Sequence, residues 1–437
     1  MATISYTKEI TVTKTYDIIV CGAGPAGICA AVAAARQGAK VALIERYGIP
    51  GGNLTAGHVG PILGAVSSGT MRDEVCELLG VRDNDMDGHT GVAHDMEKAR
   101  IALVEFIDHE NIDVYLQTVI SDAWVENDTI KGVIISTKEG LQVLGASVVI
   151  DATGDGDVAY FAGCEFEKGR DDGLMQPVTL EFTLDNVDEE KAILCIGDID
   201  DVQFKGQRFL DWCKQQADAG ILPKNAAAVR LHPTVYKGSR QVNTTQANGY
   251  DSTKLETIYD AELELRRQIK LLQNFFRENL PGYENCKVVG SACTTGIRES
   301  RRVMGEYVIT AEELASGKRF DDVIVHKADF LVDIHNPNGS GQAEKKIQWC
   351  IPYDLPYRCF VPKKIEGLYT AGRCISGTHR AHASYRVMSI CMAMGEAVGV
   401  AASMCVAEGC TPRNLNVKAL QDKLTALGID LFSESAP

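Results

Sequence analysis

The chain has 437 residues, 45% of them hydrophobic, so it can bury a large core and is long enough for two or three domains. Its formal net charge of −15 argues against nucleic acid or an anionic membrane as a partner of the whole surface, although a local basic cleft for a small anion is compatible with it. Fourteen cysteines without a Cys-x-x-Cys pair, and an N-terminus without an apolar leader, predict a cytoplasmic protein with reduced thiols and no iron–sulfur or disulfide framework.

The first predicted unit covers residues 16–45: a strand, a glycine turn, a helix and a second strand that ends in an acid. Gly22 permits the tight turn, Gly24 lets the backbone approach a pyrophosphate, and Gly27 lets the helix pack closely on the strand. The phosphates then lie at the positive end of the helix. The first helical residues belong to the same predicted site: Pro25 and Ala26.

Glu45 follows the second strand, residues 40–44, where it can accept hydrogen bonds from ribose hydroxyls and would repel a 2′-phosphate. Its neighbour Arg46 is grouped with it as a cofactor-binding residue. The unit therefore predicts a ligand with an unphosphorylated adenosine ribose, such as FAD or NAD. A structural βαβ unit without a nucleotide is the alternative.

The next stretch predicts a helix, a small β-meander inserted into the nucleotide domain, and a return to the parallel sheet. These elements are a helix over residues 95–110, meander strands over 114–120, 123–125, 130–136 and 141–144, and a sheet strand over 146–150.

A second, α+β domain is predicted from about residue 166, where the composition changes. Its predicted elements are strand-like runs over 176–180 and 231–242 and helices over 204–219 and 254–279. We therefore divide the chain into a first nucleotide-binding part, a substrate or capping domain, and a second nucleotide-binding part, over residues 1–165, 166–290 and 291–437.

Residues 367–371 predict a strand that leads through Gly372 and Arg373 into an apolar helix over 387–407. That helix is apolar enough for a transmembrane segment, but Glu396 lies in its middle and glycine and alanine dominate its faces. We favour a closely packed buried helix and no membrane insertion.

Five separated segments together resemble the FAD-dependent oxidoreductase family, which is related to the flavoproteins of fumarate reductase and succinate dehydrogenase. They are the N-terminal nucleotide motif and residues 51–57, 151–157, 296–302 and 372–388, and the match spans nearly the whole chain. The resemblance implies an α/β fold: a two-part, Rossmann-like FAD-binding domain of the glutathione-reductase type, with a β-rich domain over the flavin. The residue pattern agrees, because one dinucleotide fingerprint and a late return of the chain suit a cofactor as long as FAD.

The resemblance also implies individual cofactor contacts. Around the pyrophosphate, flavin and adenine these are Gly52, Asn53, Leu54, Thr55, Val119, Ala152, Thr153, Gly154 and Asp157. Disulfide-reductase relatives commonly carry Gly-Asp where this chain has Gly372-Arg373, so the acid that often binds the ribityl chain is missing, and Arg373 would touch phosphate or nothing. After Arg386, the helix N-terminus at Val387 and Met388 would point at the flavin pyrimidine ring, unless the helix is only core.

Candidates for chemistry beside the flavin are arginines and histidines. Arg298 and Arg302 are four residues apart and would share one helix face as a carboxylate clamp, unless they lie on a surface helix paired through Glu299 and Glu306. His379 would line the site if its loop folds over the flavin ring.

Asp333 and His335 would alternate on a strand and face one side, which can fix a histidine tautomer for proton transfer; a structural pair is the alternative. His58 could bond covalently to the flavin, although an ordinary polar role is the simpler interpretation. No metal site is predicted, because neither His-x-x-x-His nor a carboxylate cluster at ligand spacing occurs.

Together these patterns predict an FAD-dependent oxidoreductase that transfers a hydride between flavin N5 and a small polar substrate, such as a carboxylate. The direction, the electron donor or acceptor and assembly into a homo-oligomer stay open. A redox-neutral isomerase or hydratase and an electron-relay subunit of a complex are the alternatives, because loop side chains around the flavin, and not the fold, decide the reaction.

Overall fold

A computed structural model describes residues 3–5, 7–81, 93–197, 200–344 and 346–434. The strands are β1 (Val12–Cys21), β2 (Val41–Ile44), β3 (Asp113–Tyr115), β4 (Val119–Glu126), β5 (Thr129–Thr137), β6 (Gly140–Asp151), β7 (Phe166–Lys168), β8 (Phe182–Asp185), β9 (Gln203–Phe204), β10 (Gln207–Arg208), β11 (Leu231–Pro233), β12 (Arg240–Val242), β13 (Lys287–Ser291), β14 (Arg301–Val303), β15 (Val323–Ala328), β16 (Tyr353–Pro356) and β17 (Leu368–Thr370). The α-helices are α1 (Pro25–Arg36), α2 (Met71–Leu79), α3 (Met96–Asp108), α4 (Asp157–Phe161), α5 (Phe209–Asp218), α6 (Leu255–Asn279), α7 (Ala311–Ala315), α8 (His379–Tyr385), α9 (Met388–Glu408) and α10 (Val417–Ala426).

The largest sheet runs in the order β3-β2-β1-β6-β5-β4, and β17 joins it beside β6. The pairs β1–β2, β2–β3, β1–β6 and β6–β17 are parallel, whereas β4, β5 and β6 form an antiparallel meander. Strand β2 is buried along its whole length, as parallel strands covered on both faces are. The Rossmann-like α/β fold is therefore confirmed, and β17 brings the C-terminal part of the chain into the same sheet.

Two predicted strand boundaries are wrong. The run predicted as one strand over 114–120 is split, because Gln117 has φ = +52° and separates β3, beside β2, from β4 at the opposite edge. The runs predicted separately over 141–144 and 146–150 are one strand, β6, which pairs with β5 over residues 140–145 and with β1 over residues 143–151. The meander therefore continues the nucleotide sheet and is not an insertion into it.

Helix α9 is the long apolar helix, and it packs along α1. A Cβ at Gly395 would lie 2.0 Å from Ala26 O, and one at Gly399 would lie 2.3 Å from Ala30 O, so the two helices touch through their backbones. Although α9 is long and apolar enough to span a membrane, 83% of its most apolar window is buried inside the protein. This is the closely packed buried helix that the sequence predicts.

The order β11-β12-β8-β13 makes a second, antiparallel sheet, which shares an apolar cluster around Trp212 with α5 and α6. The helix predicted over 204–219 begins only at Phe209, because a tight turn at Lys205, φ = +50°, folds β9 onto β10. The run predicted over 231–242 is two strands, β11 and β12. The boundaries of the three parts stay predictions; β13 crosses the one expected at residue 290.

Candidate active site

A cleft opens where β1, β2, β6 and β17 end, beside the N-termini of α1 and α9. It holds about 1120 Å³ of empty space and is open to solvent. The predicted cofactor-binding residues that line it are Gly22, Gly24, Pro25, Ala26, Glu45, Arg46, Gly52, Asn53, Val119, Ala152, Thr153, Gly154, Asp157, Gly372, Arg373, Arg386 and Met388. The predicted residues outside this lining are Gly27, Leu54, Thr55 and Val387.

Sequence reasoning missed part of the cleft wall. The additional lining residues are Ile44, Tyr47, Thr118, Ile120, Thr294, Thr295, Ile297, Ala371 and Cys391. Most of them adjoin a predicted residue, but residues 294–297 reach the cleft from the end of β13. Tyr47 Oη lies 2.7 Å from Thr294 Oγ1, a contact between residues 247 apart in the chain, which no local spacing could indicate.

The three glycines of the turn before α1 have different roles, because a Cβ added at each would have different neighbours. Gly22 has φ = +96°, and a Cβ there would lie 2.5 Å from Ala152 O. A Cβ on Gly27 would lie 1.7 Å from Gly22 O, so only glycine lets α1 pack on the turn. A Cβ on Gly24 would meet nothing within 4 Å, since this residue faces the cleft at the start of α1, where no side chain caps the helix. Open space beside free helical N–H groups fits a pyrophosphate.

Glu45 is 4% exposed at the end of β2. Its Oε2 accepts a hydrogen bond from Ala23 N at 2.7 Å, and its Oε1 accepts one from Tyr47 N at 2.9 Å. Burial raises the pKa of this carboxyl, and the two backbone donors only partly oppose the rise. Each oxygen keeps a further lone pair, so ribose hydroxyls can still donate to Glu45.

Asp155, which is buried, joins two arginines of the cleft wall. Arg373 Nη2 donates to Asp155 Oδ1 at 2.9 Å, Ser300 Oγ donates to the same oxygen at 2.7 Å, and Arg46 Nη2 lies 3.7 Å from Oδ2. Burial alone would raise the pKa of Asp155, but Arg373 and Arg46 outweigh it and hold that pKa below its ordinary value. Arg373 Nη1 is buried and has no hydrogen-bond partner among the described residues.

In the loop after β2, some residues predicted to contact the cofactor have side chains that do not line the cleft. Leu54 is 1% exposed inside the protein, and Thr55 Oγ1 donates to Pro50 O at 2.6 Å. His58 Nε2 lies 2.8 Å from Thr183 Oγ1, and His58 does not line the cleft. The geometry therefore gives no support to a covalent bond between His58 and a flavin.

The segment around His379 is helix α8 and not a loop that folds over the cofactor. His379 Nδ1 lies 2.8 Å from Glu299 Oε1, and Arg302 Nη1 donates to the same carboxylate oxygen. His379 and Arg302 line a second cleft, outside the cofactor cleft. A catalytic role for either residue beside the flavin has no geometric support.

The arginine clamp expected from a helix over 296–302 is wrong. The end of that segment is β14, which pairs with β7, so its side chains alternate as on a strand. Arg302 turns to the buried Glu299, whereas Arg298 Nη1 donates to Pro177 O at 2.9 Å. The alternative of a surface helix is equally wrong, because Arg298 is 7% exposed and Arg302 is 2% exposed.

Arg298 lies instead in a group of buried or largely buried charged side chains, here called the arginine cluster: Arg230, Arg298, Asp333, His335 and Arg386. Burial, and then the positive charges of Arg386 and Arg230, lower the pKa of Arg298 to about 9. Arg386 Nη2 donates to Asp333 Oδ2 at 3.0 Å, and Arg386 also lines the cofactor cleft. The cluster is therefore next to the end of the cleft formed by Arg386 and Met388.

Asp333 and His335 form a pair, as predicted, although they lie beside isolated β-bridges and not on a strand. His335 Nε2 lies 3.2 Å from Asp333 Oδ2. Burial and the charge of Arg298 lower the pKa of His335 to about 4, whereas His335 and Arg386 outweigh burial and hold the pKa of Asp333 well below its ordinary value. A neutral His335 therefore donates from Nε2 to Asp333, which leaves a lone pair on Nδ1, buried and without a partner among the described residues.

Comparison with known proteins agrees with this geometry. The family described as FAD dependent oxidoreductase matches residues 17–424. The chain is 28% identical over 169 residues to thiamine thiazole synthase of Pyrococcus horikoshii, a match that covers 36% of this chain and 65% of that protein. It is 35% identical over 79 residues to the soluble pyridine nucleotide transhydrogenase of Sodalis glossinidius, over 18% of this chain and 16% of that one. In both cases the chain spans less than two thirds of the relative's length.

Solved structures with a similar course of the chain are distant. A geranylgeranyl bacteriochlorophyll reductase-like protein from Thermoplasma acidophilum is 14% identical with a TM-score of 0.48, over 94% of this chain and 84% of that one. A flavin-dependent brominase is 11% identical with a TM-score of 0.46, over 94% and 83%. Because the family match covers nearly the whole chain and the cleft residues fit the cofactor, the protein belongs to the FAD-dependent oxidoreductase family and uses FAD.

Proposed function

We propose that this flavoenzyme transfers a hydride between its flavin and a small carboxylate held by the arginine cluster. When bound, FAD supplies the hydride chemistry at N5 of its flavin. The chain has to hold the substrate, orient it and exchange a proton with it. The observation that carries the proposal is the buried, unneutralised guanidinium of Arg298.

Arg298 donates to Pro177 O at 2.9 Å and to Asn243 Oδ1 at 3.2 Å, both neutral oxygens. Within the described ranges no carboxylate oxygen lies within ion-pair distance of it. A buried cation without a counter-charge is costly, and the nearby positive charges of Arg230 and Arg386 increase that cost. An anionic ligand would remove the cost, and a planar carboxylate matches the guanidinium fork.

Two acids lie near Arg298 in the interior, the buried Glu181 and the largely buried Asp333. Asp333 is engaged by Arg386 and His335. Burial raises the pKa of Glu181 to about 7, despite hydrogen bonding from Gln241, so Glu181 is only partly ionised at neutral pH. Sequence reasoning did not single out Glu181, because its environment is created by the fold of β8 and the strands beside it. Neither acid therefore forms an ion pair with Arg298 among the described residues.

His335 suits the proton transfer. Its Nδ1 lone pair can accept a proton from a substrate hydroxyl or amine as the hydride leaves, and in the opposite direction His335 can return that proton. An anion bound at Arg298 would raise the pKa of His335 towards neutral pH, since it offsets the positive charge that now lowers it. Asp333 holds the imidazole in the required tautomer.

The first experiment titrates the protein anaerobically with NADH and NADPH, to learn whether a nicotinamide reduces the flavin. The second adds small carboxylic acids or their primary amides under the same conditions and follows the visible absorption band of the flavin. We expect an acid to exchange electrons with the flavin and its amide not to. Arg298→Met should raise the Kd for the acid about 30-fold or more, with Arg298→Lys in between.

The matched control is Arg380→Met, since Arg380 lines the second cleft and pairs with Glu344 at 2.9 Å. Its Kd for the acid should not change. Equal binding of acid and amide, or an unchanged Kd in Arg298→Met, would show that the site does not recognise a carboxylate.

A further inference from the structure

Arg373 lines the cofactor cleft and donates a hydrogen bond to the buried carboxylate of Asp155. We propose that Arg373 and Arg46, which both lie beside Asp155, bind the diphosphate of FAD. The inference concerns the cofactor alone and does not depend on the proposed substrate.

One terminal nitrogen of the Arg373 guanidinium is bound to Asp155, and the other is available to a ligand. Its Nη2 donates to Asp155 Oδ1 at 2.9 Å, while Nη1 is buried without a partner among the described residues. Buried donors of a charged group are rarely left unpaired, so Nη1 requires an acceptor from the cleft that Arg373 lines. A Cβ on Gly154 would lie 2.7 Å from Nη2, which shows that the guanidinium rests against the backbone of a cleft residue.

Arg46 approaches the same carboxylate from the end of β2. Its Nη2 lies 3.7 Å from Asp155 Oδ2, and its guanidinium carbon lies 4.9 Å from the centre of the Tyr47 ring. The side chain of Arg46 is 44% exposed, so it can move towards a ligand while the ring supports it.

The two other acids of the cleft, Glu45 and Asp157, have hydrogen-bond partners other than Arg373. Glu45 accepts from the backbone N–H groups of Ala23 and Tyr47, and Asp157 accepts from Arg301 Nη1 at 2.8 Å. A diphosphate is negatively charged and can accept two hydrogen bonds from one guanidinium, whereas ribityl hydroxyls are neutral and make weaker hydrogen bonds. The phosphate oxygens, and not the ribityl chain, are therefore the better ligands for Arg373.

The test measures affinity and needs no turnover. Calorimetry on the full-length apoprotein would use ADP, which carries the diphosphate without the flavin, and riboflavin, which carries the flavin and ribityl chain without phosphate. Arg373→Met should weaken ADP binding by about 10-fold or more and leave riboflavin binding within about twofold. Arg373→Lys should fall between, because it keeps the charge and loses the fork.

Arg380→Met is the matched control. Arg380 is also an arginine paired with carboxylates, Glu312 and Glu344, but it lines the second cleft and not the cofactor cleft. Its ADP affinity should equal that of the unmodified protein, and thermal unfolding would confirm that both variants fold. If Arg373→Met weakens riboflavin binding and leaves ADP binding unchanged, Arg373 contacts the ribityl or flavin part of the cofactor and the proposal is wrong. It is also wrong if the affinities for ADP and riboflavin both stay unchanged.

Discussion

Gly24 and Gly27 are three residues apart and carry the same motif, yet a side chain at each would meet different surroundings. At Gly27 the obstacle is the protein itself, because a Cβ would lie 1.7 Å from Gly22 O. At Gly24 the space is open, and its φ of −76° is one that alanine adopts readily. One position therefore serves folding, and the other serves the ligand.

This difference gives a prediction. Gly24→Ala should change the free energy of unfolding of the apoprotein by no more than about 1 kcal/mol and weaken FAD binding roughly tenfold, because its methyl group occupies space the pyrophosphate needs. Gly27→Ala should lower the free energy of unfolding by about 3 kcal/mol or more, because α1 must move off the turn. Chemical denaturation of the apoproteins and FAD titration measure the two effects. Equal losses of stability would contradict the assignment.

His335 gives a second prediction at this scale. If the reaction removes a proton from the substrate, it requires neutral His335, so the rate of flavin reduction at limiting substrate should fall as the pH drops through the pKa of about 4. Arg298→Met removes a positive charge that lowers this pKa, so the acid limb of the profile should move to higher pH. His335→Asn should lower the rate about 100-fold or more. If the acid limb of the pH profile lies at the same pH in Arg298→Met as in the unmodified protein, His335 is not the titrating group.

At the scale of elements, α9 carries a buried acid within its apolar length. Glu396 Oε2 accepts a hydrogen bond from Met71 N, at the first residue of α2, at 2.7 Å. Burial raises the pKa of Glu396 from an ordinary 4.5 to about 7, and the hydrogen bond only partly opposes it. The acid that argues against a transmembrane helix in the sequence therefore connects two helices of the core.

A raised pKa in the folded state means that the stability due to protonated Glu396 is fully present below about pH 4.5 and is lost as the pH rises through about 7. Glu396→Gln cannot ionise and keeps an acceptor for Met71 N. We expect the variant to match the unmodified protein near pH 4.5 and to be more stable near pH 8, by about 3 kcal/mol at most. Calorimetric unfolding at both pH values measures the difference, and a difference that does not vary with pH would contradict the assignment.

The elements also show where local patterns fail. The long helices α6 and α9 were predicted within one residue at each end, because the sequence of each contains its own periodicity or stop signal. The segment around Arg298 was predicted as a helix from a four-residue spacing. It is extended because Arg301 pairs with Lys168 of β7, a partner 133 residues away that no local spacing reveals.

At the scale of the whole molecule, the cofactor cleft is assembled from four distant stretches of the chain. The glycine turn and Glu45 come from the first, the β4 and β6 ends from the second, residues 294–297 from the third, and Gly372 to Cys391 from the fourth. The contact of α9 with α1 and the pairing of β17 with β6 bring the last stretch to the first. A formal net charge of −15 for the whole chain thus coexists with an interior group that contains the buried Arg230 and Arg298 and the largely buried Arg386.

The sequence by itself determined the nucleotide fold and a ligand such as FAD or NAD, because the requirements at Gly22, Gly24 and Gly27 are local properties of the backbone that fixed spacings express. The choice of FAD came from the resemblance over the whole chain, which the family match confirms. The tertiary structure decided which side chains meet beside the cofactor. In the folded protein, His379 and Arg302 pair with Glu299 and line a second cleft. Arg298 lies near Arg386 and His335 instead. These contacts depend on strand pairing and helix packing between residues more than a hundred positions apart. Because the free energy that stabilises them is distributed over the whole core, no local sequence motif predicts them.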